Sequence, residues 1–147
     1  MSRTQHDGVS EQAKAAKHRL EDAQSLYSTK RWRGAMYLAG YAVECLLKTK
    51  LMRMFDCRRL RDLEPDLQQR GLLSTHATIF THQLELLLRL TRSTDRLRTN
   101  QAHWQSFTLV NHWMPAWRYT ADLSNAEDSK DFIEAVEELV HWIEYNV

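Results

Sequence analysis

The residues able to do chemistry fall into three groups. Tyr37, Tyr41, Glu44 and Lys48 lie at i, i+4, i+7 and i+11, so a helix here carries two phenols, a carboxylate and an ammonium along one side. Glu44 with Lys48 also fits a plain i, i+4 ion pair, worth about a few tenths of a kcal/mol. The second group is basic: Lys48, Lys50, Arg53, Arg58, Arg59 and Arg61 stand against Asp56 alone, and Arg89, Arg92, Arg96 and Arg98 form a further run. Guanidiniums that converge hold phosphates, which marks Lys48 to Arg61 as the nucleic-acid-facing surface. Solvated helix faces and loop charges are the plain and favoured reading, and the nucleic-acid surface lies on Lys48 to Arg61 if there is one. The third group is Arg118 with Tyr119. Functionally, the arginine would bind a phosphate or a carboxylate and the tyrosine would add a stacking face or a hydroxyl. Structurally, which is the favoured reading, Arg118 would pair with Glu44 and Tyr119 would pack at the base of the last helix.

One stretch must position these groups. From Gly34 to Leu47 the only charge is Glu44, and a helix apolar nearly all round has to be surrounded by other helices. Ala35, Ala39 and Ala42 offer a face for close approach, while Leu38, Val43, Leu46 and Leu47 fill the space beside it. The spacing predicts a first amphipathic helix over Glu11 to Ser28, then the hub over Trp32 to Phe55, returning antiparallel. A short helix follows Pro65 and stops at Gly71; Thr81 caps a helix from His82 to about Thr91, with His82 in its first turn. A further helix runs from about Asn100 to Met114, and Ser124-Asn125-Ala126-Glu127 has capping-box spacing for the last one. The expected fold is all-α, an up-and-down bundle of four long helices plus a short helix in a long connection.

With 43% apolar and 27% charged residues, the 147-residue chain fits one domain, 10–147, behind a disordered stretch 1–9. The N-terminus has no apolar core, and Lys48, Lys50 and Arg53 follow the apolar centre of the hub too closely for a membrane span. A soluble, cytoplasmic protein without membrane contact is expected. Cys45 and Cys57 make neither a disulfide framework nor a zinc pattern, so free thiols, no metal and no cofactor are expected. Trp113, Trp117 and Tyr145 exceed what helices of this length easily bury alone, which predicts a homodimer.

Ala35 to Lys48, Thr81-His82-Gln83-Leu84 and Arg118-Tyr119, in this order over about three quarters of the chain, resemble the HEPN family of small all-helical prokaryotic domains. The resemblance singles out Tyr41, Glu44, Lys48, His82, Arg118 and Tyr119 as the polar motif positions. It implies a dimerising helical bundle in a nucleotidyltransferase-linked, toxin–antitoxin or defence module, with RNA or a nucleotide-bearing partner as its business. Catalytic members are metal-independent endoribonucleases built on an arginine, four to six residues and a histidine. The histidine moves the proton and the arginine bonds the phosphate oxygens as charge accumulates. Arg98 with His103, Arg96 with His103, and Arg70 with His76 have this spacing, but about two such pairs are expected by chance. Arg98 also precedes Thr99, where the family pattern usually has a polar residue such as Asn. The leading expectation is a non-catalytic dimeric domain that binds RNA or a nucleotide-bearing partner such as a nucleotidyltransferase. The alternatives are a ribonuclease using Arg98 and His103, and a protein–protein adaptor with no nucleic-acid role.

Overall fold

The computed structural model describes residues 7–147. Among them are seven α-helices: α1 (Val9–Ser28), α2 (Trp32–Met54), α3 (Leu60–Gln69), α4 (Leu84–Leu90), α5 (Thr94–Arg98), α6 (Gln101–Val110) and α7 (Ala126–Asn146), with a 3-10 turn at Pro115–Tyr119 before the last. The described residues contain no strand, only an isolated bridge between Gly8 and Arg59. α2 is the centre. It packs along α1 and α7 and also touches α3, α4 and the 3-10 turn, which buries Val43, Leu47 and Leu51 completely. Ala35 and Ala39 are fully buried as well, so small side chains do let neighbours approach.

The bundle of four long helices plus a short one is therefore corrected to seven helices, of which only α1, α2 and α7 are long. The physical reasons lie in the second half. α4 begins at Leu84 rather than His82, because Thr81 Oγ1 accepts from the Gln83 amide outside the helix. It ends where Thr91 Oγ1 donates back to the Leu88 carbonyl and Arg92 takes a left-handed φ of 59°. A five-residue α5 follows, and Asn100 Oδ1 accepts from the His103 amide at 3.1 Å to open α6. α6 stops at Val110 rather than Met114, because the chain turns there to bring Trp113 back onto α2.

Smaller differences have local causes. α3 starts at Leu60 and holds Pro65 inside it, since Leu60, Leu63 and Leu67 form the buried stripe that sets its register. The last helix is capped by Asn125 rather than Ser124: Asn125 Oδ1 accepts from the Asp128 amide at 2.8 Å and its Nδ2 donates to Asp128 Oδ2 at 3.0 Å. Of the stretch 1–9 expected to be disordered, residues 1–6 lie outside the described residues. Asp7 to Val9 are tied down: Val9 donates to the Arg58 carbonyl and Leu60 to the Asp7 carbonyl.

Candidate functional site

α2 brings Tyr37, Tyr41, Glu44 and Lys48 to one side, and the segment before α4 places His82 across from them. Glu44 is only 3% exposed. Its Oε2 accepts from Lys48 Nζ at 3.0 Å and its Oε1 lies 2.6 Å from His82 Nδ1. A buried carboxylate is tolerated only with such partners. The i, i+4 pair of Glu44 with Lys48 therefore forms as expected, but in the interior, for Lys48 too is only 5% exposed. An ionised carboxylate only accepts, so Nδ1 of a neutral His82 carries the proton and Nε2 is left with its lone pair. The ring is half-exposed.

Above this group opens a cleft of about 560 Å³ lined by Arg19, Tyr37, Leu38, Tyr41, His82, Pro115, Arg118 and Tyr119. Trp113 packs behind its lining. Its ring packs against those of Tyr37, Tyr41 and His82 at centroid distances of 6.2, 6.3 and 6.2 Å, and its Nε1 donates to the Tyr37 carbonyl at 2.9 Å. Gly40 makes that approach possible, for a Cβ there would sit 2.1 Å from the indole. Burial above all, with Cys45 and Glu44 nearby, raises the Tyr41 phenol above its usual range, so it stays protonated and able to donate. Directly beneath, burial pushes the Cys45 thiol up to about 12, which makes it inert rather than nucleophilic.

Two guanidiniums complete the cleft. Arg19 pairs with Asp22 at 3.1 Å, and its Nε is buried without a hydrogen-bond partner among the described residues. Arg118 lies 5.7 Å over the Tyr119 ring and makes no ion pair among the described residues. The expected pairing of Arg118 with Glu44 does not occur, because Lys48 and His82 already occupy both oxygens of Glu44. Nor does Tyr119 pack under the last helix, being 81% exposed. Trp117 takes that place, edge-on to Phe132 at 5.3 Å and beneath the Arg33 guanidinium at 4.6 Å.

The basic run Lys48 to Arg61 does not converge. Lys48 is sealed beneath the cleft, and Lys50 donates to the Glu144 carbonyl at 3.2 Å on the side facing α7. Arg53 is exposed in the last turn of α2, and Arg58, Arg59 and Arg61 are exposed around the start of α3, where Arg61 lies 3.8 Å from Asp7. In the second run, Arg89, Arg92 and Arg98 share a hollow of about 380 Å³ with Glu85, Thr94 and Asp95.

Arg98 and His103 face different partners. The Arg98 guanidinium lies 4.8 Å over the Trp104 ring, whereas His103 Nε2 is 3.6 Å from Glu138 Oε1 and its amide is the one that Asn100 caps. Arg96 donates to Ser93 Oγ and Arg70 to Asp66, while His76 sits exposed in the α3–α4 connection. None of the three Arg and His pairs forms a joint contact among the described residues.

Sequence reasoning missed Arg19 and the packing of Trp113 behind Tyr37, Tyr41 and His82. An isolated glycine inside an otherwise apolar helix is a mark of close approach, so Gly40 was the available signal for the tryptophan. Nothing local marks Arg19, which reaches the cleft only because α1 runs antiparallel to α2.

Among the described residues no three or more His, Cys, Asp or Glu side chains are grouped to hold a metal ion, and no helix is long and apolar enough to cross a membrane. No family model, curated protein or solved structure matches the chain.

Proposed function

We propose that this protein is a non-catalytic helical module of the HEPN type that binds RNA or a nucleotide-bearing partner, and that the cleft over Glu44 and His82 is where the ligand docks. The single observation that carries the reading is the convergence, in one cleft, of Arg19, Arg118 and His82 with the rings of Tyr37, Tyr41 and Tyr119. Guanidiniums suit phosphate oxygens, and phenol rings stack on unpaired bases. The motif positions Tyr41, Glu44, Lys48, His82, Arg118 and Tyr119 meet around this one cleft, with Lys48 joined to it through Glu44. That gathering is what the resemblance needs from a common site. A second copy or a nucleotidyltransferase remains the partner proposed for it, although Trp113 and Trp117 no longer argue for a dimer because both pack within the chain.

Fluorescence titration of a labelled single-stranded oligoribonucleotide tests the reading. Arg118→Ala should weaken binding by about tenfold, the order expected for one charged contact, and should reduce the slope of affinity against salt. The triple change of Arg58, Arg59 and Arg61 to Gln should have little effect. A loss confined to the triple variant would move the interface to the start of α3.

A further inference from the structure

Resting on that reading, we infer that the cleft selects a terminal phosphate, the monoester carried by a free nucleotide or by the 5′ end of an RNA, and that binding draws a proton onto His82. Three features point this way. The space is about 560 Å³, within the roughly 300–1,000 Å³ of small-ligand sites, enough to seat one nucleotide. Arg118 brings a guanidinium with no anionic partner among the described residues, and Arg19 one whose Nε is unpartnered. A phosphodiester offers two free oxygens and one charge; a monoester offers three oxygens and nearly two charges at neutral pH, enough to engage both arginines and the imidazole together.

The third feature is the way His82 is held. Glu44 fixes Nδ1 at 2.6 Å and is itself neutralised by Lys48, so the carboxylate can balance a proton on the ring without leaving its own charge unpaired. The groups around His82 carry both signs. From α2 come Glu44, Lys48 and the phenols of Tyr37 and Tyr41; from α1, Arg19 with its partner Asp22; from the 3-10 turn, Arg118 and Tyr119. A phosphate dianion held between Arg19 and Arg118 brings its negative charge to the ring, and Nε2 takes a proton from solvent and donates it to a phosphate oxygen.

Isothermal titration calorimetry near neutral pH, in two buffers of different ionisation enthalpy, reads both parts of the inference. The ligands are adenosine 5′-monophosphate, adenosine, and one short oligoribonucleotide with either a 5′-phosphate or a 5′-hydroxyl. The phosphorylated ligands should bind at least tenfold more tightly than their unphosphorylated forms, with net proton uptake. His82→Gln, which keeps a hydrogen-bond donor beside Glu44, should abolish the uptake and narrow the preference for the phosphorylated ligands, while Arg118→Ala should weaken them without abolishing the uptake. Tight binding of the phosphorylated oligonucleotide but not the mononucleotide would assign the phosphate to an RNA end, and the converse to a free nucleotide. If both oligonucleotides bind equally and Arg118→Ala weakens both, the terminal-phosphate inference is wrong while the cleft reading stands. If no ligand binds, both are wrong.

Discussion

At the scale of single residues, the decisive feature is a carboxylate that has almost no water. Glu44 is held by one ammonium and one imidazole, so removing its charge strands Lys48 in the interior. Breaking one side of a buried pair typically costs about 3–5 kcal/mol, whereas replacing both members by apolar groups is close to neutral. Glu44→Gln should therefore lower the unfolding free energy by an amount in that range, and adding Lys48→Met should restore most of it. Urea titrations of the two variants check this, and equal destabilisation of single and double variants would refute it. Cys45 gives a second residue-scale prediction. Its folded thiol lies at about 12, above its ordinary value of 9.0, so the folded state favours the protonated form. That contribution is complete below about pH 9 and is lost progressively as pH rises toward 12. Tyr41 and Cys57, raised mainly by burial, act in the same direction. Unfolding free energies measured from pH 8 to 11 should fall more steeply for the wild type than for Cys45→Ala, and parallel curves would contradict the assignment.

At the scale of elements, the close approach of Trp113 to α2 depends on Gly40. Alanine there would gain up to about 1 kcal/mol of helix propensity, yet its Cβ would meet the indole at 2.1 Å. Overpacking of a filled site costs about 1–3 kcal/mol, so Gly40→Ala should be destabilising on balance and should disturb the tryptophan fluorescence. A more stable variant with unchanged fluorescence would show that Trp113 does not lie against Gly40. The elements differ in how far their sequence announces them. α1, α2 and α7 were legible because their apolar spacing runs for five turns or more, long enough for tertiary packing to agree with local periodicity. The region from Leu84 to Val110 was not, because the breaks there are made by one hydroxyl, one left-handed arginine and one asparagine cap, none of which interrupts the apolar pattern. The candidate site was half legible for the same reason. Tyr37, Tyr41, Glu44 and Lys48 share a helix and declare their common side, while Arg19, His82 and Arg118 join them only through the packing of three separate segments.

At the scale of the whole molecule, the chain's charge is nearly balanced, with a formal net of +1, so affinity for an anionic partner has to come from local arrangement rather than from overall attraction. Three of the basic surfaces among the described residues are the cleft with Arg19 and Arg118, the hollow with Arg89, Arg92 and Arg98, and the exposed arginines from Arg58 to Arg61. Of these, the first sets the rings of Tyr37, Tyr41 and Tyr119 beside its guanidiniums, next to the buried Glu44 held by Lys48 and His82. Nuclear magnetic resonance mapping with a short single-stranded RNA tests this choice most directly, since it reports all three surfaces at once. The ring signals of His82 and the indole signal of Trp113 should shift in step with RNA concentration, together with the amides around Tyr41 and Arg118, while the amides of Arg58 to Arg61 stay in place. Shifts confined to the start of α3 or to the Arg89 hollow, with His82 and Trp113 unmoved, would contradict it.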